Sequence, residues 1–315
     1  MANSAQVTDL YRYAVKGLDA DRLEHVDVSV AGETFPDDRR FALMKSAKLN
    51  LWKGQDNKWI HKENFLCAFT APELLAGYTS NYRIVSADPE ISRGLPCDAL
   101  VDSPTDQDPA TTTQRLLDIQ NRATGETLLG PVDLATDPGR QALAAFWTEQ
   151  SGTAVTCVSS SSCSTTASQS IHNHQFGNTG SGVKASGDTR TLHIVNRATV
   201  RDLSAVIGVP LDAYRFRPNI VIDGPAAWSE VQWVGKRLRV TSPHGQASST
   251  LILKVIQKTV RCEATRIDPN DPEHVLEIPK LLIQHFPQYG PYLGVYAVVE
   301  AAGSLAVGGE LELID

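Results

Sequence analysis

The sequence predicts a β-rich α+β chain in two domains, and three observations carry the prediction. Short runs rich in Val, Tyr, Phe and Ile recur along the chain, broken by Gly, Pro, Asp and Asn, the punctuation of strands. Only two stretches carry full helix start and stop signals. The 315 residues are enough to bury two cores.

In chain order, VTDLYRYAVKG, EHVDVSVAG and RRFALMKSA alternate partly between apolar and polar residues and read as the first strands. RLLDIQNRATGETLLGPVDL continues them as a hairpin turning at ATGE. These strands suggest a small β-rich domain over residues 1–130. DPGRQALAAFWTEQSG then has a turn signal, a helix-forming run and a terminal glycine, so 138–150 is expected to be a helix. A Ser- and Gly-rich stretch, 158–190, reads as a long surface loop. ATVRDLSAVIG is a second helix, closed by Gly208 and stopped by Pro210. Strands at NIVIDG, KRLRVTS, STLILKVIQ, YAVVEA and GELELI complete a β-dominated second domain, 131–315.

Composition narrows the function. Hydrophobic residues at 42% and charged residues at 21% are ordinary for a globular protein. Five scattered cysteines without a C-x-x-C pair set aside a disulfide framework and a four-cysteine zinc site, and favour a reducing compartment. The N-terminus lacks the features of a secretory signal, and no apolar run is long enough to span a membrane, so the expected location is cytoplasmic. A net charge of −7 argues against nucleic acid as partner, although a local cluster of arginines still suits a small anion.

Four short stretches carry chemistry. In RFRPNIVIDG, Arg215 and Arg217 flank Phe216; an extended backbone, favoured before Pro218, would set both guanidinium groups on one face. Such a pair suits a phosphate, or else simply faces solvent. In DDRRF, Asp38, Arg39 and Arg40 lead into a strand starting at Phe41, and their ordinary reading is a surface charge contact. AVKG places Lys16 at a strand end before Gly17. In KTVRCEATRIDP, Cys262 lies beside Arg261. A lone cysteine is usually an inert apolar residue, but a basic neighbour is also what makes a thiolate available as nucleophile or metal ligand. Glu263 and Asp268 could relay protons, but Asp268 before Pro269 reads better as a turn former. His172 and His174 lack a third ligand at a convincing spacing and read as solvated loop residues.

The order AVKG, DDRRF, RFRPNIVIDG, VRCEATRIDP and YLGVYAVVEAAGSLAVGGELELI resembles the MOSC family, proteins related to the C-terminal domain of molybdenum-cofactor sulfurase. The resemblance covers nearly the whole chain and is to the long, two-part members, which include the mitochondrial amidoxime-reducing component and its bacterial relatives. It implies an N-terminal MOSC-type β-barrel domain followed by a MOSC barrel with a few helices, and a molybdenum cofactor (Mo-molybdopterin). By the same resemblance Cys262 is the catalytic metal ligand, and a soft thiolate suits that metal. Lys16, Arg39, Arg217 and Asn219 match positions that hold the pterin and its phosphate, and Arg261 joins them. Asn196, Arg197 and Thr199, at the start of the second helix, match a cofactor-contacting stretch; Thr199 reads equally as an N-cap. The chain departs from the family at Gly17, where Ser often follows the lysine, and at Thr259, where many members carry a second cysteine.

The implied activity is reduction of N-hydroxylated compounds or N-oxides. The electrons would come from a separate redox protein, ferredoxin- or cytochrome b5-like, because no cysteine cluster is present for an iron–sulfur centre and the chain ends right after its last expected strand. The family's membrane anchor is not expected in this chain, and pyridoxal phosphate binding is left open. The competing reading is a cofactor carrier or persulfide-handling protein without turnover of its own.

Overall fold

The computed structural model describes residues 4–28, 31–52, 59–85, 113–160, 176, 190–241 and 250–315. Its residues group into two compact units built from interleaved stretches. The first takes 1–12, 22–35 and 178–315, and the second takes 13–21 and 36–177. Consecutive domains meeting near residue 130 are therefore not the pattern. The strand Ser4–Arg12 belongs with the first unit because it pairs with the strands Ile220–Asp223 and Glu310–Leu313.

Sixteen strands and four α-helices are described. In the first unit the strands are β1 (Ser4–Arg12), β2 (Asp21–Leu23), β3 (His25–Val28), β10 (Leu192–Asn196), β11 (Ile220–Asp223), β12 (Arg237–Thr241), β13 (Leu251–Val260), β14 (Tyr292–Ala301), β15 (Gly303–Ala306) and β16 (Glu310–Leu313). Seven of them close a barrel in the order β11-β10-β14-β13-β12-β16-β1, with β1 returning to β11. Closure leaves no open edge among the seven. β1 manages it by pairing Ser4–Gln6 with β16 and Gln6–Leu10 with β11, and an irregularity between Val7 and Asp9 bends the strand between its two partners.

Alternation fills the barrel. Ala5, Val7, Leu10, Ile194, Ile220, Ile222, Leu253, Val255, Val295 and Ala297 form one buried cluster. β10 and β11, the parallel pair, are buried on both faces. Their other side is covered by α3 (Arg197–Ile207) and α4 (Ile278–His285), with Val195, Val200, Leu203, Val221, Ile278 and Leu282 packed together.

The second unit holds β4 (Phe41–Lys45), β5 (Phe65–Leu66) and β9 (Val155–Ser159) in one sheet. A second sheet is formed by β6 (Tyr78–Val85), β7 (Gln114–Asn121) and β8 (Thr127–Asp133). Leu43, Leu66, Leu117, Ile119, Leu143 and Trp147 join these sheets to α1 (Pro72–Ala76) and α2 (Asp137–Ser151) in a common core. The expected hairpin is present, its turn held by Asn121 Oδ1, which accepts from the amides of Ala123 and Thr124.

Both predicted helices form. α2 is capped by Thr136, whose hydroxyl accepts from Gly139 N, and closed by Gly152 in the left-handed region. α3 is closed by Gly208, as the sequence predicts. The chain is thus strand-rich, with a closed barrel and few helices, the predicted fold class. Among the described residues no helix is long and apolar enough to cross a membrane. Most of the 158–190 stretch, with His172 and His174, lies outside the described residues.

Candidate functional site

The 215–219 stretch is not extended. Residues Ala213–Phe216 form a 3-10 turn, and Arg217 takes a left-handed backbone (φ 53°, ψ 53°) despite Pro218. Arg215 and Arg217 therefore do not share a strand face. Arg215 is 0% exposed, so the solvent-facing reading fails for it. Its guanidinium donates to the carbonyls of Thr265, Arg266 and His274 and to Asp268.

Arg217, Asn219 and Arg261 meet around His193 on β10, a residue without a sequence signal of its own. His193 N donates to Asn219 Oδ1 (3.1 Å), His193 Nδ1 lies 3.2 Å from Arg217 O, and Arg261 Nη1 lies 3.3 Å from His193 Nε2. An arginine can only donate, so Nε2 accepts and the imidazole proton sits on Nδ1, donating to the Arg217 carbonyl. Gly294 on β14 makes this ring position available, because a Cβ there would lie 2.8 Å from His193 Nε2. Asn219 is fully buried and bridges strands through Tyr11 O and the backbone of His193. Arg261 also donates to Phe216 O (2.9 Å) and lies over the Phe216 ring.

Cys262 follows directly, half-buried, where β13 gives way to the 3-10 turn Glu263–Thr265. Cys67 and Cys157 are buried, and burial pushes the Cys157 thiol up to about 12 even with Arg140 nearby. Of these three thiols only Cys262 is partly exposed. Asp268 does form a turn, accepting from Asn270 N (2.9 Å), while its other oxygen takes Arg215.

At the start of α3 the cap is Asn196, not Thr199: Asn196 Oδ1 accepts from Ala198 N, and its amide donates to Ala226 O and Glu230. Thr199 is fully buried; its hydroxyl accepts from Trp228 N and donates to Glu230. Arg197 pairs with Asp9. Glu230 is buried among neutral donors, and burial raises its carboxyl pKa above the usual range. The folded state then holds the proton more tightly than the unfolded chain does. Its contribution is full below the unfolded pKa, about 4.3, and is lost as pH rises through the folded one. Glu230→Gln is therefore expected to be more stable than wild type at pH 8, on the order of 1–3 kcal/mol. Chemical denaturation should show that advantage vanishing near pH 4.

In the second unit, Lys16 follows the Val15–Phe41 bridge, its amide donating to Phe41 O and its ammonium 5.9 Å from the centre of the Phe65 ring. Arg39 is not in a surface charge contact. It pairs with Asp38, 1% exposed, and lies over Tyr13, whose amide also donates to Asp38. Arg40 likewise joins a buried set around Asp37, which accepts from Arg40, Arg115 and Tyr82. Buried pairs of this kind are costly to break, unlike the exposed pairs expected from sequence.

Residues 181–312 match the MOSC domain. The chain carries a MOSC domain. Two curated relatives match part of it. One is the mitochondrial amidoxime reducing component 2 of Rattus norvegicus, 29% identical over 135 residues, 38% of this chain and 36% of that protein. The other is the mitochondrial amidoxime-reducing component 1 of Homo sapiens, 30% identical over 140 residues, 41% and 39% of the two chains. The matches thus span about two-fifths of those relatives' length. Among solved structures, YiiM from Geobacillus stearothermophilus has a TM-score of 0.29 at 18% identity, over 39% of this chain and 54% of that one. The YuaD protein from Bacillus subtilis has 0.35 at 11%, over 98% and 95%.

MOSC domains are associated with molybdenum-cofactor binding or handling. The donors in this one fit such a group. Among the described residues no three of His, Cys, Asp and Glu cluster to hold a metal unaided. A cofactor that brings its own dithiolene sulfurs asks the chain for one soft ligand and for cations facing its phosphate. Cys262 and Arg217 are of those kinds, and both lie in the MOSC domain.

Proposed function

We propose that the chain is a molybdenum-cofactor-dependent oxidoreductase that reduces N-hydroxylated compounds or N-oxides, drawing electrons from a separate ferredoxin- or cytochrome b5-like protein. The observation that carries this reading is Cys262: a half-buried thiol at a strand end, beside Arg261, which is itself tied to the turn that bears Arg217. The names of the two curated relatives support the substrate class. The five scattered cysteines offer no set for an iron–sulfur cluster in this chain, hence the external donor.

Cys262 would hold the metal and Arg217 the terminal phosphate, with Arg261 adding positive charge. Bound there, the cofactor would supply a two-electron redox couple for removing oxygen from the substrate. The chain's own part is preorganisation. His193 holds the Arg217 carbonyl, Asn219 holds the strands on either side, and Arg261 stays paired with Phe216 O. Fixed donors of this sort need not reorganise when the ligand binds.

The test is elemental analysis for molybdenum in protein made by a host that synthesises the cofactor, followed by turnover of a benzamidoxime-type substrate with a chemical reductant. Near-stoichiometric metal with turnover is expected. Metal without turnover would instead favour a carrier or sulfur-handling protein. Protein that takes up no molybdenum, even when cofactor is supplied in vitro, would end the proposal.

A further inference from the structure

We propose that Arg215 is a positioning residue for Cys262, a role that rests on Cys262 being the metal-binding thiolate. The 3-10 turn Ala213–Phe216 grips the cysteine's segment on both sides. Upstream, Phe216 O accepts from Arg261 (2.9 Å). Downstream, Arg215 Nε donates to Thr265 O (3.0 Å), Nη2 to Arg266 O (2.7 Å) and His274 O (2.9 Å), and Nη1 to Asp268 (3.1 Å). Thr265 passes the constraint on, since both its amide and its hydroxyl donate to the Cys262 carbonyl at 2.9 Å. The path from guanidinium to cysteine is thus two hydrogen-bonded links long.

A fully buried arginine is an expensive way to fill space, because its charge must leave water. Burial pulls its pKa down, and Asp268 opposes that. One carboxylate and three backbone carbonyls compensate it, and all four lie in the segment that follows Cys262. Only a planar fork reaches acceptors spread over residues 265–274. A lysine has three donors on one nitrogen and cannot span them. Groups that orient a metal ligand without touching the metal are commonly worth 10- to 100-fold in its affinity.

The test compares wild type with Arg215→Lys and Thr265→Val by two measurements. The first is amide hydrogen exchange in metal-free protein. In Arg215→Lys the amides of Thr265 and Arg266, which bond to Cys262 O and Glu263 O, should exchange at least about tenfold faster, while barrel amides such as Leu253 and Val295 are unchanged. The second is molybdenum retained by holoprotein after gel filtration, which should fall about 10- to 100-fold. Thr265→Val, which loses one of the two bonds to the Cys262 carbonyl, should shift both readouts the same way by less; if the lysine variant does not fold, it decides alone. Unchanged exchange at 265 and 266, loosening spread evenly over the barrel, or full metal retention would each overturn the proposal. Wild type without molybdenum would remove Cys262 as ligand and the positioning role with it, whereas a local change in exchange would still separate that failure from the loss of Arg215's grip.

Discussion

Cys262→Ser should strip molybdenum from the protein while leaving its melting curve in place. The expected metal loss is at least about tenfold, and larger than that of any variant acting through a neighbour, because the substitution removes the one soft donor. The fold should tolerate it. Cys262 is half-buried in a short turn, and substitutions at such positions usually change stability by no more than about 0.5 kcal/mol. Cys67→Ser and Cys157→Ser make the controls. Both place a hydroxyl in an apolar cluster and should lower stability, yet both should keep their molybdenum. Elemental analysis beside thermal melts checks all three. Equal metal in Cys262→Ser and wild type would show that the thiolate is not the ligand.

The strands, helix ends and hairpin were legible because their signals are local. Alternating apolar residues in β13 and β14, the glycine closing α3 and the turn at ATGE each say the same thing at the level of a few residues. The site was legible only in part, because its geometry is set by contacts far apart in sequence. RFRPN reads as a strand start until the carbonyls of 265, 266 and 274 are present to draw Arg215 inside. DDRRF reads as surface charge until Tyr82 and Arg115 enclose Asp37. His193 carried no signal at all: one histidine in an apolar strand looks like any other core residue. Its value comes from Arg217, Asn219 and Arg261 arriving from 24 to 68 residues away. The units were illegible for a related reason, since β1 reads as the head of an N-terminal domain and pairs instead with β11 and β16.

Gly17→Ser, which would bring this chain closer to the MOSC family, should instead be among its most destabilising single changes. Gly17 has a φ of 98°, and a Cβ built there would sit 2.6 Å from the Cys67 Cα and 2.9 Å from its Cβ. The first feature costs a side-chain-bearing residue about 1–3 kcal/mol of backbone strain. The second forces backbone to move, and overpacking of that kind costs about 1–3 kcal/mol more. The sum, roughly 2–6 kcal/mol, falls in the second unit, where Gly17 and Cys67 both lie. Gly17→Ala separates the two explanations for the glycine. If the steric reading is right, alanine should cost nearly as much as serine, because the offending atom is the Cβ and the hydroxyl adds little. If the position matters only for the hydrogen bond a serine would bring to a phosphate, alanine should be almost neutral and serine should raise cofactor retention. Denaturant melts of the two variants, with molybdenum content measured on the same preparations, decide between these. The contact with Cys67 predicts the first result, with Cys67→Gly in the Gly17→Ala background recovering part of the loss by removing the 2.9 Å Cβ contact.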